Sequence, residues 1–190
     1  MNHFKQNDFS KKINLRIYTN GTLFTHEIIE LLNTFNRIYL YVSIDGVYDT
    51  YEYIRDGSNF NILQDSIDLM HKELNYRELH FCMTVNAINV FNIEEFQKWS
   101  KRYENIELNY IEVYPNYRGI GLQNLSTNLI NDLIENIDAP IVHKMLKRAK
   151  SKPHDKRKLL RELKLFDEVK NQNYLNVAPV KLLEYLNEVY

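Results

Sequence analysis

One cysteine, Cys82, stands in a chain of 190 residues. It excludes an internal disulfide, and it excludes any all-cysteine zinc site or cluster built by this chain alone. Charge of either sign is not in excess: the net charge is -1, so no global field steers the chain to nucleic acid or to a membrane surface. No apolar run approaches the roughly 20 residues that a bilayer-spanning helix needs. Met1 to Lys12 is polar and lacks an apolar centre, so no secretory signal is expected there. Internal repeats and low-complexity tracts are also missing. These absences point to a cytoplasmic protein without a membrane-bound part.

What is present is the composition of a globular protein, 44% hydrophobic and 26% charged, with 14 tyrosines among its aromatics. The length suits one sizeable domain, or one domain with a helical appendage. The stretch Arg37-Ile-Tyr-Leu-Tyr-Val-Ser-Ile-Asp-Gly46 organises the rest. Ile38, Leu40, Val42 and Ile44 fall on one face of a strand, and Tyr39, Tyr41, Ser43 and Asp45 on the other.

The same split recurs along the chain. Ile13 to Tyr18 alternates strictly and stops at Thr19-Asn20-Gly21, a turn sequence. Thr25 is placed to cap a helix whose stripe is Ile28, Ile29, Leu31, Leu32 and Phe35. With strand 37–45 this makes a parallel βαβ unit. A short helix follows Gly46, broken at Gly57. A second helix runs from Ser58 to about Leu74, with Ile62, Leu63, Ile67 and Met70 inward. Leu79 to Asn86 is a third strand, Ile93 to Tyr103 a helix, and Ile106 to Tyr114 a fourth strand ending at Pro115. From Asn124 on only helices are expected: one around Leu129, one over Ile141–Ala149, one from Asp155 to about Val169, and one over Val180–Val189.

A doubly wound open sheet buries both faces, so its strands are almost continuously apolar. The amphipathic strands here instead predict an α/β fold: an incomplete (β/α) barrel of about four parallel strands with outer helices and a polar inner wall. The expected organisation is a loose arm over residues 1–12, the partial barrel over 13–122, and a C-terminal helical segment over 123–190.

Ligands in such folds bind at the carboxyl ends of the strands. Those ends are Thr19-Asn20-Gly21, Ser43-Ile44-Asp45-Gly46, Thr84-Val85-Asn86 and Tyr114-Pro115. Arg55 follows on the next helix, and a guanidinium beside a serine suits a carboxylate ligand. Each of these has a plainer reading. Ser43 and Asp45 would only shape a turn, since Asp45-Gly46 is a common turn pair, and Arg55 is within reach of Asp56 or Glu52. Cys82 reads as a small side chain facing the lumen, and His80 as a hydrogen-bonded wall residue. His26, His71, His143 and His154 have no partner at metal spacing.

Thr19-Asn20-Gly21, Ser43-Ile44-Asp45-Gly46 and Tyr51-Glu-Tyr-Ile-Arg-Asp-Gly-Ser58, in this order and spacing, resemble the second half of a radical SAM enzyme barrel. The tail Leu165 to Leu175 resembles the end of such proteins that carry a twitch-type auxiliary domain. The resemblance covers roughly residues 13–122 and the tail. It implies S-adenosylmethionine as the cofactor, with Ser43 and Arg55 on its methionyl carboxylate. It also implies contacts from Thr19 or Asn20 and from Thr84 or Asn86. Asp45 would orient the turn rather than touch the ligand. The family's CxxxCxxC loop, which holds a 4Fe–4S cluster through thiolates, has no counterpart here, nor does its GGEP-type strand. The chain is therefore expected to be a downstream part, whether a gene fragment, half of a split protein or a degenerate paralogue. A cluster would be available only from a missing N-terminal half.

Three functions follow. The first is the S-adenosylmethionine-binding portion of a radical enzyme acting on an unknown substrate. The second is a non-catalytic remnant or accessory protein-binding module. The third uses the run Lys144 to Lys164, where ten Lys or Arg face only Asp155 and Glu162. Nucleic-acid binding by that run is the weakest of the three, because no aromatic residues interleave for stacking. Expected partners are a complementing half-barrel, or a second copy joined through the exposed edge of strand 13–18.

Overall fold

The computed structural model describes residues 9–113 and 119–187. Four parallel strands form one sheet in the order β1-β2-β3-β4, surrounded by helices, an α/β architecture of the incomplete-barrel type. The strands are β1 (Asn14–Thr19), β2 (Arg37–Ser43), β3 (Glu78–Val85) and β4 (Ile106–Glu112). The helices are α1 (His26–Leu32), α2 (Tyr48–Ile54), α3 (Phe60–Glu73), α4 (Ile93–Ser100), α5 (Thr127–Asn136), α6 (Pro140–Lys150), α7 (Lys156–Lys170) and α8 (Val180–Asn187). The expected strand end at Tyr114-Pro115 and the last residues of the 180–189 helix lie outside the described residues.

The chain divides into two compact units. The first is drawn from Met1–Ile44, Asn59–Met83 and Lys101–Asn109, and the second from Asp45–Ser58, Thr84–Ser100 and Tyr110–Tyr190.

In the first unit the period-two pattern of β2 becomes a burial pattern. Ile38, Leu40, Val42 and Ile44 have no exposed surface, while Tyr39, Tyr41 and Ser43 are half-buried. Leu79, Phe81 and Met83 of β3 are buried in the same way, as are Leu63, Ile67 and Met70 of α3. Each such side chain contributes about 1.5–3 kcal/mol relative to an exposed one. Ile62 departs from the expected stripe and is 59% exposed. It precedes Leu63 by one residue, about 100° around the helix, and the 63-67-70 spacing alone keeps to one face. Phe35 likewise falls beyond α1, whose C-terminal carbonyls turn into 3-10 type bonds to Thr34 and Phe35.

Caps fix the helix starts. Thr25 accepts a hydrogen bond from Ile28 N–H, and Asn59 accepts from Ile62 N–H. Gly21 turns the chain after β1 with φ +78, and a Cβ there would sit 2.6 Å from Val42 Cγ1. Only glycine meets both demands. The loop is also held by Phe24 N–H, which donates to the buried Ser66 hydroxyl at 3.0 Å.

In the second unit α7 packs against α2, and the segment after β4 bonds back to the end of β3. Val113 N–H donates to Val85 O, and Ala87 N–H to Ile120 O. Tyr53 of α2 donates to Asp167 of α7 at 3.1 Å. Lys170 donates to the carbonyls of Tyr53 and Ile54, the free C-terminal acceptors of α2. A lysine there satisfies orphan carbonyls and complements the helix dipole. Residues 123–187 therefore do not hang free: they share one compact unit with the stretch 45–58.

Candidate functional site

The strand ends carry the hydrogen-bonding side chains, and the structure shows what each is bonded to. In the first unit, Thr19 Oγ1 accepts from Gly21 N–H at 3.1 Å. Asn20 Oδ1 accepts from both Thr22 N–H and the Thr22 hydroxyl. Both residues hold the turn after β1 by local side-chain bonds that compete with regular structure. Ser43 is half-buried at the end of β2, level with Cys82 of β3.

The second unit holds a tighter constellation. Asp45 receives Arg55 Nη2 at 2.8 Å and Nε at 3.1 Å on one oxygen. Its other oxygen accepts Thr84 N–H at 2.8 Å. The carboxylate is thus the hub between the turn after β2, the C-terminus of α2 and the end of β3. Arg55 is paired with neither Asp56 nor Glu52 but with Asp45. Its guanidinium carries five N–H groups, so donors remain beyond the two that Asp45 takes. Tyr51 lies beside it, with Arg55 Cζ 5.9 Å from the ring centroid. Burial pushes the Tyr51 phenol up, against an opposing pull from the Arg55 charge.

Three asparagines support this hub. Asn86 is buried, and its Oδ1 accepts from Ile88 and Asn89 N–H. Asn89 donates to the carbonyls of Asp45 and Thr84. Asn92 Oδ1 accepts Val47 N–H at 2.8 Å. Asn86 is committed to this bracket, whereas the Thr84 side chain is exposed. Asn89 and Asn92 escape sequence reasoning because their spacing is that of any helix entry. Their role comes from long-range partners 44 and 45 residues away.

The polar face of the first unit carries a feature that no single strand reveals. Tyr18, Tyr41 and His80 are register partners on successive strands. Their rings stack at 4.7 Å and 4.4 Å between centroids. His80 is buried; Asn109 Nδ2 lies 2.9 Å from its Nδ1 and Glu78 Oε2 lies 3.3 Å from its Nε2. Glu107 Oε2 also lies 3.4 Å from Nδ1, so a carboxylate stands near each ring nitrogen. Of the two tyrosines of β2, Tyr41 is thus the middle ring of this stack.

No family model, curated protein or solved structure matches this chain. The donor set must therefore be judged on its own chemistry. One cysteine in the whole chain supplies one thiolate, so its residues do not fit a cluster that needs three. Among the described residues, no three His, Cys, Asp or Glu side chains come together around a common point. Nor is any helix among them long and apolar enough to cross a membrane. A carboxylate-bearing ligand does fit Arg55, whose remaining N–H groups form a planar fork partly open to solvent.

Proposed function

We propose that this chain is the downstream part of a radical SAM-type enzyme and binds S-adenosylmethionine at the carboxyl ends of its strands. Radical chemistry would then need a separate half that carries the cluster ligands. The observation that carries this reading is the coincidence of motif and strand end. Thr19 ends β1 and opens the turn Asn20-Gly21, Ser43 ends β2 ahead of Ile44-Asp45-Gly46, and Arg55 caps the helix that comes next. Arg55 is the anchor for the methionyl carboxylate. Asp45 orients the guanidinium, since one of its oxygens receives Arg55 and the other ties it to Thr84 N–H. When bound, the cofactor would supply a sulfonium whose C–S bond, on taking one electron from the cluster of the separate half, would break to methionine and a carbon-centred radical. The chain's own part is to hold and orient it.

Isothermal calorimetry with S-adenosylmethionine on the full chain tests this. Saturable heat is expected, with affinity lowered at least about tenfold in Arg55→Met, the loss of one charge-assisted contact. Ser43→Ala should weaken binding less. No heat and no thermal shift would remove the cofactor reading. It would leave the second one, a non-catalytic remnant or accessory protein-binding module. The Arg55–Asp45–Thr84 bracket supports that alternative too, because it also serves as a purely structural clamp.

A further inference from the structure

The ring stack of the first unit is closed at one end and open at the other. His80 is the closed end: it is buried, and Asn109 and Glu107 of β4 meet it. Tyr18 is the open end. It is 69% exposed, and among the described residues Tyr41 is the ring it stacks on. The separations of 4.7 Å and 4.4 Å match the spacing of neighbouring strands, about 4.8 Å. The row therefore advances one ring per strand and stops at β1, the last strand in the order, with the outer face of Tyr18 turned to solvent.

The same face carries positive charge. Arg16 precedes Tyr18 by two residues and Arg37 precedes Tyr39 by two, so alternation puts both on the side of the stack. Arg16 Cζ lies 5.9 Å from the Tyr39 ring centroid and 5.8 Å from that of Tyr41, the outer limit of a cation–π contact. Both arginines are exposed, and neither is ion-paired among the described residues. Glu78 and Glu107 are drawn instead to His80, at the closed end. The open end thus joins a bare aromatic face to planar donor forks, and those forks match the oxygens of a carboxylate or a phosphate.

We propose that the open end of this stack binds a small planar aromatic anion, its ring on the outer face of Tyr18 and its carboxylate or phosphate on Arg16. Arg37 adds to the attraction. A cationic ring would be repelled by the two arginines, and an aliphatic acid would leave the tyrosine face unused. One ring stacked on one aromatic side chain changes affinity by about tenfold or more. A second copy paired along β1 is the competing occupant, since it would lie where the next ring belongs. None of these residues is a proposed cofactor contact, so the site stands or falls independently of that reading.

Adenosine monophosphate and indole-3-acetate are the probes, one bearing a phosphate and one a carboxylate, titrated separately into the full chain at physiological salt. Calorimetry gives the affinity, and the upfield ring-current shift of the probe's ring protons in NMR reports stacking. One saturable site is expected, and the preferred probe tells which anion it takes. The same rings without their anions, adenosine and indole, should bind at least tenfold more weakly. Tyr18→Ala should abolish the ring-current shift and weaken binding at least tenfold, whereas Tyr18→Phe should keep both. Arg16→Met should weaken the charged probe and leave the uncharged ring unchanged. These variants alter exposed side chains, so their urea midpoints should stay near that of the parent. Unchanged affinity in Tyr18→Ala, or uncharged rings binding as well as charged ones, would overturn the proposal. So would affinity that falls as the chain concentration rises, which would assign the open ring to a contact between copies. Binding of a single-stranded oligonucleotide with neither probe bound would overturn it in favour of nucleic acid.

Discussion

Replacing Asp45 by alanine separates a structural hub from an ordinary surface acid. The carboxylate is only 14% exposed, and its Arg55 partner is 27% exposed. The substitution removes one ion pair and the acceptor of Thr84 N–H. A pair this accessible to water is worth about 1 kcal/mol rather than the several of a fully buried one. The charge-assisted bond to Thr84 N–H adds about 1.5 kcal/mol, at the low end because water can reach Thr84. The expected loss for Asp45→Ala is therefore about 2–3 kcal/mol. Asp45→Asn keeps an oxygen for Thr84 and should lose only about 1 kcal/mol. With a urea m-value of about 2–3 kcal/mol/M for a chain of this size, Asp45→Ala should lower the midpoint by about 1 M at unchanged slope. A cycle with Arg55→Met should return a coupling of about 1 kcal/mol. The reasoning fails if Asp45→Ala costs under about 0.5 kcal/mol, or if the asparagine variant is as damaged as the alanine one.

Other substitutions and conditions test other parts of the fold. Gly21→Ala combines a positive φ with a Cβ only 2.6 Å from Val42, and should cost about 2–3 kcal/mol. Gly57→Ala, at φ +68 with open space around it, should cost about 1 kcal/mol; equal melting temperatures for the two variants would refute the steric part. Tyr110 is pushed up to about 12, chiefly by burial, and Tyr53 and Tyr103 are also raised, burial again acting first and acceptors on Asp167 and Asp68 adding to it. The folded state thus favours the neutral phenols, so their contribution is complete below about pH 10 and is lost as pH climbs through the raised values. Tyrosinate absorbance should then rise together with loss of circular dichroism, and a fold that survives while all phenols ionise near pH 10 would contradict this. Finally, β1 stands at the end of the strand order and, among the described residues, pairs only with β2. Such an edge favours self-association, so sedimentation should show a concentration-dependent size; a stable, monodisperse monomer would count against an open edge.

The alternation of apolar and polar residues was enough to locate β1, β2 and β3, because one aliphatic face must leave water and the period of two then fixes which residues do so; β4 was placed on a less regular pattern, and its Ile111 is 55% exposed. The helical stripes and the cap at Thr25 are local in the same sense. Local pattern says which face a residue occupies, not which residue stands across from it. The Tyr18–Tyr41–His80 stack needed the register of three strands. The choice of Asp45 over Asp56 and Glu52 as the partner of Arg55 depended on a turn closing back on a helix end. Ile62 was misassigned because an apolar residue beside the true stripe looks like part of it until packing selects one face. The docking of α7 on α2 joins Tyr53 to Asp167 across 114 residues of sequence. Such a pairing arises when burial of α7's apolar side brings its polar residues against free carbonyls elsewhere. Propensity and periodicity, which act over a few residues, carry no information about contacts at that distance, so only the folded chain decides them.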